Sequence, residues 1–111
     1  MKITMARGDL VTKCFTIEAE TQPLLDEIYF TVKRRHTDTK MLFQKRLSDG
    51  GITKLENEDY VFTIEPEDTN CLSMGLYEFD IELVGPGIKR TFIGTLELTG
   101  EVTHAANEVS P

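Results

Sequence analysis

Apolar and polar residues alternate along short segments of this chain, most clearly in Tyr77-Glu78-Phe79-Asp80-Ile81-Glu82-Leu83. Only an extended backbone sorts these side chains. Tyr77, Phe79, Ile81 and Leu83 then point to one face and Glu78, Asp80 and Glu82 to the other. The same period recurs in Leu10 to Ile17, with Phe15 and Ile17 together, and in Glu27 to Arg34, with Ile28, Phe30 and Val32 inward. It recurs again in Asp59 to Glu65, through Tyr60, Phe62 and Ile64, and in Ile88 to Leu98, through Phe92, Leu96 and Leu98. Lys2 to Met5, Met41 to Leu47 and Ile52 to Leu55 read as shorter strands. The Met41 to Leu47 strand belongs at a sheet edge, where Lys45 and Arg46 discourage stray pairing.

Breakers separate these runs. Thr21-Gln22-Pro23, Asp49-Gly50-Gly51 and Gly85-Pro86-Gly87 mark turns, the last a hairpin between the final two strands. Pro66-Glu67-Asp68-Thr69 reads as one helical turn: Glu65 caps it, proline suits a first helical position, and the acids favour a helix N-terminus. Gly75 closes it. Gly94, inside the last strand, predicts a bulge or a close neighbour.

About seven strands with one short helical turn predict an all-β, immunoglobulin-like antiparallel sandwich. Residues 1–100 form this domain and 101–111 a polar C-terminal tail. The expected core contains Phe15, Ile17, Ile28, Phe30, Val32, Tyr60, Phe62, Ile64, Leu72, Tyr77, Phe79, Ile81, Leu83, Phe92 and Leu96. Tyr77 lies where such sandwiches carry a tyrosine whose hydroxyl bonds backward to the backbone; an acceptor between Pro66 and Leu72, near Asp68, is expected. The competing reading is that Tyr77 simply fills the core.

The chain's 111 residues suffice for one core. A net charge of −7 opposes phosphate backbones and anionic membranes, so no nucleic-acid or membrane partner is expected. No apolar run approaches the ~20 residues of a membrane span, and the N-terminus lacks the apolar stretch of a signal peptide. Lys33-Arg34-Arg35-His36 reads as a solvated strand end.

Residues with catalytic or metal-binding potential are scattered. Cys14 and Cys71 miss the positions of the sandwich-spanning disulfide and are expected as reduced thiols acting as small apolar groups. His36 and His104 lie far apart, so no metal site and no cofactor is predicted. Glu78, Asp80 and Glu82 read as the wet face of a strand. Arg7-Gly8-Asp9 spells an integrin-recognition tripeptide, but its favoured reading is a glycine turn between the first two strands. No catalytic residues emerge.

The order of Arg7-Gly8-Asp9, Glu27-Ile28-Tyr29-Phe30-Thr31-Val32-Lys33, Leu42-Phe43-Gln44-Lys45, Pro66-Glu67-Asp68-Thr69 and Gly75-Leu76-Tyr77-Glu78-Phe79-Asp80-Ile81 resembles small prophage proteins of Gram-positive bacteria. These in turn resemble the N-terminal immunoglobulin-like module of siphophage baseplate upper proteins. The similarity covers about residues 5 to 100. It implies a non-enzymatic tail or baseplate protein, in the host cytoplasm before assembly and in the virion after it. Other tail proteins or copies of itself would be its partners. The expected contact surface is Met41, Leu42 and Phe43, with Tyr77, Gly75 and Asp68 in structural roles. The alternative is a bacterial surface or carbohydrate-binding module, with Tyr29 and Tyr60 stacking on sugar rings.

Overall fold

The computed structural model describes residues 1–19 and 21–100. The expected tail over 101–111, with His104, lies outside the described residues. Among the described residues, eight strands occur in the order β1 (Lys2–Ala6), β2 (Val11–Thr16), β3 (Glu27–Lys33), β4 (Phe43–Arg46), β5 (Ile52–Lys54), β6 (Asp59–Ile64), β7 (Gly75–Gly85) and β8 (Ile88–Thr99). One helical turn, α1 (Pro66–Thr69), precedes β7.

The strands form two sheets, β1-β8-β7-β3-β4 and β2-β6-β5, giving an immunoglobulin-like sandwich. The strand count fits the expected sandwich of about seven; one pairing departs from the antiparallel expectation, since β1 runs parallel to β8, from Lys2 opposite Thr95 to Ala6 opposite Thr99. All other pairings are antiparallel.

The core forms where the inward parities of the two sheets meet. Phe30 of β3 stacks on Phe62 of β6 with ring centroids 4.2 Å apart, and Phe79 of β7 lies 5.2 Å from Phe30. Ile28, Val32, Ile64, Tyr77, Ile81, Leu83 and Leu96 surround them, each nearly inaccessible to water. Burying a side chain of this kind stabilises the fold by about 1.5–3 kcal/mol. Ile3, Met5, Ile52 and Leu98 join this core although the expected set omitted them.

Four expected core members stand differently. Phe15, Ile17 and Leu72 are half-buried, packed against the rim of the core. Phe92 has the inward parity of Leu96 and Leu98 yet is 45% exposed. Its strand runs beyond the end of the neighbour that would cover it.

The connectors behave as their chemistry dictates. The Glu65 N–H donates to Asp68 Oδ2 at 2.7 Å and the Asp68 N–H to the Glu65 carbonyl at 3.0 Å, closing α1 at its N-terminus. Gly94 is a close-approach site, as expected. A Cβ there would lie 2.4 Å from Phe79 Cζ and 2.7 Å from the Met1 carbonyl oxygen. Both cysteines are unpaired, but they are exposed and so do not act as buried apolar groups.

Candidate interaction surface

The expected contact surface does not assemble as one exposed patch. Met41 is 47% exposed, just before β4. Leu42 is half-buried, and its N–H donates to the Val32 carbonyl at 2.8 Å. Phe43 packs against Phe30, 6.2 Å between ring centroids, with the Lys45 ammonium 5.9 Å from its own ring centroid. β4 is a sheet edge as expected, but Leu42 and Phe43 spend their apolar area inward.

A second edge offers more. β1 covers β8 only from Thr95 to Thr99, leaving Ile88 to Gly94 with β7 on one side and, among the described residues, no strand on the other. Phe92 and the 55%-exposed Ile93 sit on this uncovered stretch. Beneath it, between the sheets, opens a cleft of about 650 Å³ whose apolar walls include Phe15, Ile17, Ile81, Leu83 and Phe92. Phe15 is held there by stacking on Tyr60, 5.5 Å between centroids. Parity alone assigned Phe92 to the interior. The missed signal is length: a five-residue β1 cannot cover a twelve-residue β8.

The acidic face of β7 is organised by charge. Glu78 Oε2 lies 2.5 Å from His36 Nδ1, and that hydrogen bond holds the Glu78 carboxyl below its ordinary value. Asp80 faces the other way electrostatically. Partial burial, then the neighbouring Glu82, push its pKa up, although Lys33 pulls against them. Asp80, Glu82 and Lys33 border a shallow, polar hollow of about 410 Å³ with Thr31 and Gln44, whose amide donates to the Thr31 hydroxyl at 2.9 Å. Among the described residues, no group of three or more His, Cys, Asp or Glu is arranged to hold a metal ion. Glu27, at the start of β3, is lowered overall: burial works against its charge, but hydrogen bonds from Ser48, Ile28 and Leu47 outweigh it.

The three residues expected in structural roles do not form one cluster around the hydroxyl of Tyr77. That hydroxyl donates to the Ser73 carbonyl at 2.6 Å, one residue past the expected Pro66 to Leu72 window. Gly75 opens β7 with a φ of 139°, a conformation side chains disfavour. Asp68 instead pairs with Lys45, 2.6 Å apart, joining β4 to α1.

Arg7-Gly8-Asp9 forms the turn between β1 and β2, with Gly8 at a φ of 84°. The Gly8 N–H donates to the buried Thr69 hydroxyl at 2.8 Å, and Arg7 Nη1 donates to the Leu72 carbonyl at 3.3 Å. The tripeptide is thus tied to α1 through the Gly8 backbone and to Leu72, just beyond α1, through its arginine. Tyr60 is buried in the core, and Tyr29 lies under the Arg46 guanidinium, 5.6 Å from its centroid. They do not form an open aromatic platform.

No family model and no curated protein matches this chain.

Proposed function

We propose that this chain is a non-enzymatic structural protein of a phage or prophage tail or baseplate, acting through contacts with other tail proteins or copies of itself. The observation that carries the reading is the exposed Phe92 and Ile93 on an uncovered stretch of sheet edge above an apolar cleft. Apolar surface beside unpaired strand backbone favours a protein partner. The net charge of −7 disfavours nucleic acid. The virion setting rests on the order of motifs from Arg7-Gly8-Asp9 to Tyr77-Glu78-Phe79, which resembles the baseplate module. A carbohydrate-binding reading loses its support with Tyr60 in the core.

Mass spectrometry of particles purified after prophage induction tests the setting, and the protein is expected in them at fixed stoichiometry. Particles that form and infect without it would remove the virion reading. Within the assembly, Ile93→Asp should weaken capture of adjacent tail proteins while leaving the fold intact, because Ile93 is on the outer face.

A further inference from the structure

We propose that the uncovered half of β8 accepts an extended acidic segment of a partner protein as an added strand, whose alternate apolar side chains fill the cleft beneath. This deepens the contact reading above and rests on it.

Backbone direction comes first. The Thr95 N–H leaves β8 on the side away from β7 and donates to the Met1 carbonyl at 3.1 Å. Backbone groups alternate sides along a strand, so Thr91 and Ile93 direct their N–H and C=O the same way. Gly94 and Phe92 stand opposite Phe79 and Ile81 and direct theirs toward β7. Lys89 has the same parity, so three residues present donors and acceptors that have no backbone partner among the described residues, in line with those that β1 already uses.

The free edges of β4, β5 and β2 are short or carry charge within them, whereas on β8 the charges, Lys89 and Arg90, stand ahead of the four residues 91–94. β4 is four residues long and carries Lys45 and Arg46; β5 has three residues; β2 carries Lys13. Thr91-Phe92-Ile93-Gly94 holds neither charge nor proline. A pleated strand laid along it would set every second side chain over Phe92 and Phe15. β-Strand addition of this kind takes affinity from main-chain bonds and specificity from pockets for alternate side chains.

Charge chooses the occupant. Lys89 and Arg90 begin the uncovered stretch, both exposed, and the three ion pairs among the described residues use neither. The Arg90 guanidinium rests over the Phe92 ring, 5.3 Å from its centroid. Glu18, on the facing wall, is the acid that lines the cleft, so carboxylates of the occupant belong on the β8 side. Two copies of this chain meeting here would crowd Lys89 and Arg90 of each into one short ladder, which disfavours self-pairing.

The test uses synthetic peptides of about seven residues, the span of the uncovered stretch, with valine alternating with glutamate, or valine with lysine. The 15N-labelled protein should show shifts and slowed hydrogen exchange at the Thr91 and Ile93 amides with the glutamate peptide, and unchanged exchange at Gly94. The lysine peptide should bind about tenfold or more weakly. Thr91→Pro removes an outward donor and spares the β7 ladder, so it should cut binding about tenfold with little change in denaturation midpoint. If that variant does not fold, Arg90→Glu should give the same loss through charge.

No response at these amides with about 1 mM peptide overturns the proposal, as does binding that ignores the substitutions or the peptide's charge. Concentration-dependent shifts at Thr91 and Ile93 without peptide would name a second copy as occupant and overturn the acidic partner. Failure of the peptides while purified particles contain the protein rejects strand addition alone. Peptide binding by a protein absent from particles rejects the virion setting alone.

Discussion

The Tyr77 hydroxyl donates to the carbonyl of Ser73, four residues behind it, at 2.6 Å. Arg34, just past β3, donates to the Tyr77 hydroxyl oxygen at 3.3 Å and lies over the ring, 5.3 Å from its centroid. The ring is buried, so one residue ties the connector after α1 both to the core and to the end of β3. Tyr77→Phe keeps the ring and strips the donor, and should cost about 0.5–1.5 kcal/mol. Tyr77→Ala also opens a cavity and should cost about 3–5 kcal/mol. Urea denaturation measures both. An unchanged midpoint for the phenylalanine variant would leave Tyr77 as core filler.

Asp68 serves two partners at once. Its Oδ2 accepts from the Glu65 N–H at 2.7 Å and from the Lys45 ammonium at 2.6 Å. Both charged side chains are 15% exposed, so the pair is shielded more than a surface ion pair. Asp68→Ala leaves a backbone donor and a shielded ammonium without their acceptor, and should cost about 2–4 kcal/mol. Lys45→Met removes the charge but keeps a stem of similar length, and the loop cap survives. Its cost should stay below about 1.5 kcal/mol. Equal losses in the two variants would show that the cap contributes nothing.

Much of this fold is legible because strand parity is local. Ile28, Phe30, Phe79 and Ile81 could be assigned inward from their own neighbours in the sequence. The acceptor for Tyr77 depends on how tightly the turn after α1 closes, and that geometry is not encoded by alternation. Ile3 and Met5 were missed as core because β1 gains its burial from a parallel partner over 90 residues away. Leu42 and Phe43 look surplus on an edge strand until the packing partner Phe30 is known. Phe92 illustrates the converse: its parity is right, but exposure depends on which neighbour covers the strand. The contact surface was therefore the least readable part, since it is defined by where pairing stops.

Gly94 tests the fit of β1 against the sheet. The Phe79 ring edge occupies the space of a Cβ at this position, and the Met1 carbonyl crowds it from the other side. An aromatic tip can rotate away; a paired backbone oxygen moves only with its strand. Gly94→Ala should therefore destabilise by about 1–3 kcal/mol through overpacking. Hydrogen exchange should show the loss concentrated at the Thr95 amide, which bonds to Met1. Faster exchange spread evenly over both sheets, with Thr95 no more affected than the rest, would disprove this local mechanism.

Asp80 stands between Thr31 of β3 and Ile93 of β8, and partial burial raises its pKa above the ordinary 3.8, with Glu82 adding to the shift. The folded chain therefore holds this proton more tightly than the unfolded chain does. The stability the group contributes is fully present below 3.8 and is lost as pH rises through the folded value. Glu78 acts in the opposite sense. Its lowered pKa contributes stability above the ordinary 4.5 that disappears as pH falls through its folded value. An acid titration of the native protein would mix the two, so the comparison needs Asp80→Asn, which cannot ionise. At neutral pH this variant should be more stable than the native chain. Because solvent screens a group this accessible, the gain should stay below about 1 kcal/mol. Well below pH 3.8 the two proteins should converge, apart from any fixed difference between a carboxylic acid and an amide. Urea midpoints on both sides of the transition measure the gap. A gap that does not grow with pH, or an asparagine variant less stable at neutrality, would show that desolvation and Glu82 do not govern this site.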